Sequence, residues 1–287
     1  MNKFVLSKVR TFQTIIDSIS ALIKEAFFTF SKDKFSLNAI DPTKAAMVNL
    51  KLKKDSFDEY KSDKEQKIAL DLIELNNLLK RCGANDTLTF MFLDDKNKIK
   101  LEFKGEGKRK RTFDLSTIDS EGILEKELDI GKLELPVKMK VKSEVLQTAI
   151  KDAKTIDSET LEINVSSDLL KIIAVKEMMN DEYNLEISLK QTSDEEKKEV
   201  DVIDMSDAKA KYSLSYLEKI FKIASISEVV TVSYGTEQPA VFDFSDDKIE
   251  VFYILAPQSD ETEDEFESDF DENFEEEEDL DEDFEDI

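Results

Sequence analysis

The sequence predicts an α+β fold in which one structural unit is present twice. Three observations predict it. Apolar residues recur with period 2 in many short segments and with helical spacing in four others, without the strict strand–helix alternation of a parallel sheet. A helix–turn–strand stretch beginning at Leu72 repeats in register beginning at Leu214. Only 6 glycines and 4 prolines occur among 287 residues, which leaves little room for long coil.

The elements follow in chain order. Val9, Phe12, Ile15, Ile16 and Ile19 form one apolar helical face, and Leu72, Leu75, Leu78 and Leu79 form a second. Alternating stretches at Thr87–Leu93 and Lys98–Phe103 read as strands. Val145, Leu146, Ala149 and Ala153 make the third helical face, followed by strands at Thr160–Val165, Leu169–Val175 and Leu185–Leu189. Leu214, Leu217, Ile220 and Phe221 make the fourth, followed by strands at Val229–Tyr234, Ala240–Phe244 and Ile249–Ile254. At an offset of 142, Leu72 pairs with Leu214, Leu75 with Leu217, Leu78 with Ile220 and Leu79 with Phe221. Cys82 with Ala224, Asp86 with Glu228, Leu88 with Val230 and Phe90 with Val232 keep the phase, so helix, turn and strand repeat together. The expected organisation is an N-terminal unit over 1–117, a connector over 118–136, a C-terminal unit over 137–258 and a tail over 259–287.

Charge is unevenly distributed. The chain carries 66 acids against 40 bases, a net charge of −26, but 19 of the acids and none of the bases lie from Ser259 onward. Residues 1–258 therefore carry 47 acids against 40 bases, a net charge of −7. Such a tail cannot bury enough apolar surface to offset chain entropy, and it is expected to be disordered when free. Phe266, Phe270 and Phe274 in it share one helical face, so it is either a solubilising brush or a segment that folds on a partner. Histidine and tryptophan are absent and Cys82 is the one cysteine, which excludes disulfide scaffolds, His/Cys zinc sites and histidine-dependent triads. No apolar run approaches the 18 residues of a membrane span, and the N-terminus lacks a signal-peptide core, so a soluble intracellular chain without membrane contact is expected. No pair of acids stands out as catalytic. The expectation is a protein that is not an enzyme, with no metal and no cofactor.

Several stretches then carry a resemblance. Ser213-Leu214-Ser215-Tyr216-Leu217-Glu218-Lys219, the strand Val229–Tyr234, Pro239 and the terminal Tyr253-Ile254-Leu255-Ala256-Pro257 resemble a DNA sliding clamp. The family is proliferating cell nuclear antigen and its archaeal relatives. Asn38-Ala39-Ile40-Asp41-Pro42, Phe57–Tyr60 and Lys110-Arg111-Thr112-Phe113-Asp114-Leu115 match as well, so the likeness runs from about Phe4 to Gln258 in family order. The tail has no counterpart in a typical member. The resemblance implies duplicated DNA-clamp (processivity fold) domains. Three subunits would close head-to-tail into a ring, with helices lining the inside and antiparallel sheets outside. It implies double-stranded DNA as a partner bound without sequence choice, a clamp loader, and clients such as DNA polymerase, flap endonuclease and DNA ligase. The location would be cytoplasmic with the nucleoid in an archaeal host and nuclear in a eukaryote.

Such a clamp needs bases near phosphates and no base readout. Lys8 and Arg10 stand by the first helix, Lys80 and Arg81 on the second, Lys151 and Lys154 on the third, and Lys219 and Lys222 on the fourth. The resemblance places an apolar client-peptide pocket at Ile40, Ala45, Ile118, Ile123, Leu124, Pro239, Tyr253, Leu255, Ala256 and Pro257, with Ser213 lining a side pocket. Ile123 and Leu124 have a plainer reading as pins for the connector, and Tyr253 one as ordinary core. Ring closure by family position uses Arg109–Leu115 and Tyr183–Lys190 as paired edges, with Arg109, Arg111, Phe113, Tyr183, Leu185 and Ile187 at the interface. Arg109 or Arg111 is expected to meet Glu144 or Asp152 of a neighbouring subunit. A homotrimer, a subunit of a heterotrimeric or checkpoint-type clamp, and an acidic chaperone of basic proteins all stay open.

Overall fold

The computed structural model describes residues 2–7, 9–83, 85–93, 97–105, 109–119, 121–125, 130–176, 179, 181–190 and 198–258. In the first half, β1 (Lys3–Leu6) leads into α1 (Val9–Leu22). Strands β2 (Glu25–Phe30), β3 (Lys34–Ile40), β4 (Ala46–Lys53), β5 (Glu59–Lys61) and β6 (Gln66–Asp71) follow. Then come α2 (Leu72–Leu79), β7 (Thr87–Leu93), β8 (Lys98–Lys104) and β9 (Lys110–Ser116). The second half repeats the order with β10 (Val137–Lys142), α3 (Ser143–Thr155), β11 (Thr160–Ser166), β12 (Leu169–Lys176), β13 (Asp181–Ser188), β14 (Val200–Asp204) and β15 (Ala208–Ser213). It ends with α4 (Leu214–Ile220), a 3-10 turn over Phe221–Ile226, β16 (Val229–Tyr234), β17 (Ala240–Asp243) and β18 (Ile249–Leu255). All four expected helices are present, and every expected strand coincides with one found to within a residue or two, except that β13 begins earlier, at Asp181.

The sheet orders expose the duplication. A five-stranded sheet runs β5-β1-β7-β8-β9, and its counterpart in the second half runs β14-β10-β16-β17-β18. A four-stranded run β4-β3-β2-β6 has its counterpart in β13-β12-β11-β15. All pairings are antiparallel. Within the chain β18 pairs with β4, from Ile249 opposite Leu52 to Leu255 opposite Ala46, which fuses one five-stranded and one four-stranded set into a nine-stranded sheet. The corresponding strands β9 and β13 stand at sheet edges.

Alternation drives these strands onto the core. In β11 the burial pattern is strictly alternate, with Leu161, Ile163 and Val165 each 1% exposed. An aromatic knot fills the first half: Phe4 stacks on Phe30 at 4.4 Å between ring centroids, and Phe30 meets Phe35 at 4.9 Å and Phe92 at 5.1 Å. Full burial of each such ring contributes about 1.5–3 kcal/mol. Asp71 caps α2, its carboxylate accepting from the amides of Ile73 and Glu74 at 2.8 Å each. After α2 the chain turns around Asp86, whose carboxylate accepts from the Gly83 amide and the Arg111 guanidinium. A Cβ at Gly83 or Gly105 would lie 2.9 or 2.6 Å from the Asp86 Oδ1, so the carboxylate occupies space that only glycines leave open.

Candidate functional site

The helices form one layer. α1 packs against α2, α4 and the 3-10 turn, and α3 packs against α4 and the same turn. Each buries an apolar stripe against the sheets: Val9, Phe12, Ile15, Ile16 and Ile19 on α1, and Leu146, Ala149, Ile150 and Ala153 on α3. Arg10, Lys80, Arg81, Lys151, Lys154 and Lys222 are exposed, and Lys219 is half-buried with its ammonium 5.0 Å from the centre of the Tyr216 ring. Acids are interleaved with these bases. Asp17 on α1 pairs with Lys80 at 2.6 Å and Lys222 at 3.8 Å, and Glu218 pairs with Lys154 at 2.5 Å. Burial raises the Asp17 pKa, but the hydrogen bonds from Lys80 and Asn76 and the charge of Lys222 outweigh it, so the carboxyl sits below its ordinary value.

The halves are joined beneath that layer by a buried relay. The Tyr253 hydroxyl donates to the Ser18 Oγ at 2.9 Å, and Ser18 donates to the carbonyls of Lys219 and Ile220 at 2.9 and 3.0 Å, at the end of α4. A second link is Asp41, which is 2% exposed. Its carboxylate accepts from the Ala46 amide at 2.6 Å, the Thr43 hydroxyl at 2.6 Å and the Tyr216 hydroxyl at 2.8 Å, fixing the loop between β3 and β4 to α4.

The opposite face of the nine-stranded sheet carries an apolar patch. Met47, Val241, Phe252 and Ile254 form a cluster separate from the main core, and Ile40, Ile130, Leu133 and Leu135 pack against it. The connector residues Ile130, Leu133 and Leu135 thus lie on the side chains of β4, β17 and β18. At its rim Ile40 donates to the Leu124 carbonyl at 3.4 Å, and the Ala256 amide to the Ala45 carbonyl at 2.8 Å. Leu124 is 42% exposed, and Ile40, Ala45, Ile123, Ser213, Pro239 and Ala256 are half-buried. Beside Pro239, which directly precedes β17, the Gln238 carbonyl accepts from the hydroxyl of Tyr212, the neighbour of Ser213, at 2.9 Å.

Comparison with known proteins gives this arrangement a family. The model of the proliferating cell nuclear antigen N-terminal domain matches residues 1–123, and that of its C-terminal domain matches residues 129–258. The chain belongs to the proliferating cell nuclear antigen family. It is 34% identical over 264 residues to DNA polymerase sliding clamp 1 of Pyrobaculum aerophilum, covering 90% of this chain and 99% of that one. It is 30% identical over 263 residues to the DNA polymerase sliding clamp of Thermococcus fumicolans, with the same coverage. The crystal structure of proliferating cell nuclear antigen from Thermococcus kodakaraensis superposes with a TM-score of 0.78 at 25% identity, over 90% of this chain and all of that one. The duplicated α+β clamp fold, the relation to archaeal clamps and a place among replication processivity factors, a family that is not enzymatic, follow from these matches.

Within this clamp fold some expected positions are corrected. Tyr253 and Leu255 do not line the patch: they are 0% and 1% exposed in the main core, because strand alternation turns them inward with Val251. Their neighbours Phe252 and Ile254 face the patch, and with Met47, Val241, Ile130, Leu133 and Leu135 are the residues that sequence reasoning missed. Parity along Val251–Leu255 carries that signal, but β18 is apolar on both faces, so alternation alone does not mark which face is outer. Ile118 is also misplaced. Its amide donates to Ala69 on β6, at the far edge of the sheet from the patch. Pro257 is buried just past β18. Arg111 is committed within the chain, to Asp86 at 2.5 Å and to the Arg81 carbonyl at 2.8 Å, and Asp152 accepts from Tyr183. Lys8 and the acidic tail lie outside the described residues. Among the described residues, no helix is long and apolar enough to cross a membrane.

Proposed function

We propose that this chain closes head-to-tail with two further copies into a ring around duplex DNA, and there tethers client proteins by peptides docked on the apolar patch. The observation that carries the reading is the sheet topology. β18 and β4 pair inside the chain, whereas their counterparts β9 and β13 stand at edges, so the equivalent pairing is available to the β9 edge of one copy and the β13 edge of another. A heterologous contact of this kind generates a ring when the rotation closes. The basic residues of the helix layer, Arg10, Lys80, Arg81, Lys151, Lys154, Lys219 and Lys222, then face phosphates. Their partial neutralisation by Asp17 and Glu218 suits a hold weak enough for sliding.

Clients engage the rim formed by Ile40, Ala45, Ile123, Leu124, Pro239 and Ala256, with Ser213 at its side. An apolar peptide anchor gains affinity there by displacing water. A clamp loader opens the ring, and DNA polymerase, flap endonuclease and ligase are the clients that the family reading implies. The test combines native mass with retention on DNA. Native mass should show three times the chain mass. Loaded clamp should stay on closed circular DNA through a high-salt wash and be lost once the circle is cut. Equal loss from circular and linear DNA would refute enclosure, and trimers formed only with paralogous chains would replace the homotrimer by a heterotrimer.

A further inference from the structure

We propose that the groove between β6 and the start of β8 is the docking site of this chain's own acidic tail, residues 259–287. A tail phenylalanine lies on its apolar wall, and the flanking carboxylates lie on its lysines. The groove measures about 680 Å³, inside the range of roughly 300–1,000 Å³ usual for ligand sites. Phe27 on β2, Ile68 on β6 and Ile118 just after β9 form the wall, each half-buried. Lys64, Lys67 and Lys98 line the same space and are exposed, against Asp119 as the carboxylate among the described lining residues.

The occupant such a groove selects is an aromatic side chain set between carboxylates. The structure already holds that combination once. Lys67 meets the Glu125 carboxylate at 2.5 Å, while its ammonium lies 4.2 Å from the centre of the Phe27 ring. Lys64 and Lys98 have no carboxylate partner among the described residues. Gln66 adds an acceptor to the groove. Its Oε1 is buried and takes no hydrogen bond among the described residues, a penalty that a main-chain N–H entering the groove would remove. β6 is also the last strand of its sheet, so an extended segment can lie along its outer edge.

The tail carries the matching pattern and repeats it. Phe266 stands between Glu265 and Glu267, Phe270 between Asp269 and Asp271, and Phe284 between Asp283 and Glu285. The tether is long enough. The sheet order places β6 four strand spacings from β18, about 19 Å. The Gln258 amide donates to the Lys211 carbonyl at 2.8 Å, and the stretch from there to Phe270 spans up to about 40 Å. Tethering of this kind gives an effective concentration on the order of millimolar, so even a weak contact is populated.

Two other surfaces suit the tail less well. The helix layer has bases, but Lys80, Lys154 and Lys222 are already paired with Asp17 or Glu218. The apolar patch would accept a ring, but the connector brings Glu121 and Glu125 to its rim beside Ile123 and Leu124, and these repel a polyanion. The groove at β6 joins an apolar wall to lysines that lack carboxylates.

The full-length chain tests the assignment. Cys82 is buried and its thiol is pushed up to about 12 by burial, so Ser268→Cys supplies one reactive thiol, between Phe266 and Phe270, for a fluorescent label. At low salt Lys64→Glu combined with Lys98→Glu should lower the anisotropy of that label about twofold, whereas Arg10→Glu combined with Lys151→Glu on the helix layer should leave it unchanged. A fall with the helix-layer pair alone would place the tail on those bases and overturn the proposal. Equal falls with both pairs would show attraction without a site, and no fall with either would show a free brush; each overturns it too. Carbodiimide coupling of carboxylates to amines gives a second reading. Tail carboxylates should link to Lys64, Lys67 or Lys98 at least about fivefold more often than to Lys80, Lys151 or Lys222. Replacing Phe266, Phe270 and Phe284 by serine, with every carboxylate kept, should cut the groove links about fivefold. An unchanged yield would overturn the phenylalanine anchor. In a mixture of isotope-labelled and unlabelled chains the links should join residues of one chain, and links found only between chains would overturn the same-chain assignment.

Discussion

The relay between Ser18 and Tyr253 gives a prediction whose sign and size both come from the structure. Both side chains are 0% exposed. Tyr253 has Ser18 as its acceptor at 2.9 Å, whereas Ser18 has two carbonyl acceptors of its own at the end of α4. Removing the two hydroxyls is therefore unequal. Tyr253→Phe leaves Ser18 donating to a carbonyl and should cost about 1 kcal/mol, the net worth of one hydrogen bond. Ser18→Ala strands the tyrosine hydroxyl in a fully buried site and also strips the carbonyls, and should cost about 2–3 kcal/mol. Adding Tyr253→Phe to Ser18→Ala removes the stranded donor, so the double variant should be about 1 kcal/mol more stable than Ser18→Ala alone. Urea unfolding at one fixed protein concentration, followed by circular dichroism, reads all four proteins. The reasoning is refuted if the double variant is less stable than Ser18→Ala. Tyr253→Phe should also leave client-peptide affinity unchanged, because the ring points away from the patch.

Two further outcomes follow from the charges. Asp17→Asn releases Lys80 and Lys222, so duplex binding at low salt should tighten and the slope of log affinity against log salt should steepen by about 1–2, measured by fluorescence anisotropy. An unchanged slope would show that these lysines do not meet phosphate. The pH profile is set by carboxylates, since histidine is absent. Glu102, 6% exposed, has its pKa lowered chiefly by the hydrogen bond from Lys110, against the opposing effect of burial, and Asp17 is lowered too. A depressed folded pKa gives stability that is present above the unfolded value and lost as pH falls through the folded one. The urea midpoint should stay level from pH 7 to about 5 and fall below about 4, and Glu102→Gln should flatten that fall. A step between pH 6 and 7 would contradict this assignment.

The helices were legible because each buries one stripe, and an apolar face at helical spacing survives in the sequence whatever lies beneath it. The repeat was legible for the same reason: Leu72, Leu75 and Leu79 and their counterparts all point into the core. Legibility failed where burial is two-sided or absent. β18 is covered on both faces, so alternation left open which of Tyr253 and Ile254 faces the patch. β13 was expected from Leu185 because its first residues, Asp181 and Glu182, are exposed, but ladder bonds to Val175 and Lys176 extend the strand regardless of side-chain polarity. The pairing of Asp17 with Lys80 and Lys222 joins positions far apart in the chain and leaves no local pattern. The resemblance supplied the edges that periodicity could not, since an edge strand awaiting its partner has little apolar signal of its own.

The charge balance bears on how such a ring would hold DNA. Even without its tail the chain is net negative, at −7 over residues 1–258. Among the seven described bases on the helix layer, Lys80, Lys154 and Lys222 are already held by Asp17 or Glu218. Overall attraction therefore cannot retain a polyanion, and the local excess of base on the helices is modest and screened within about 8 Å at physiological salt. A protein that gripped DNA by affinity would place its unpaired bases together and keep carboxylates away from them. Here carboxylates sit between the lysines, an arrangement that in the proposed ring would lower the barrier between successive phosphate positions and leave retention to the closure of the strand edges. On this view the β9–β13 joint, not the basic lining, sets residence time on DNA, and substitutions along that edge should weigh more on retention than any single lysine.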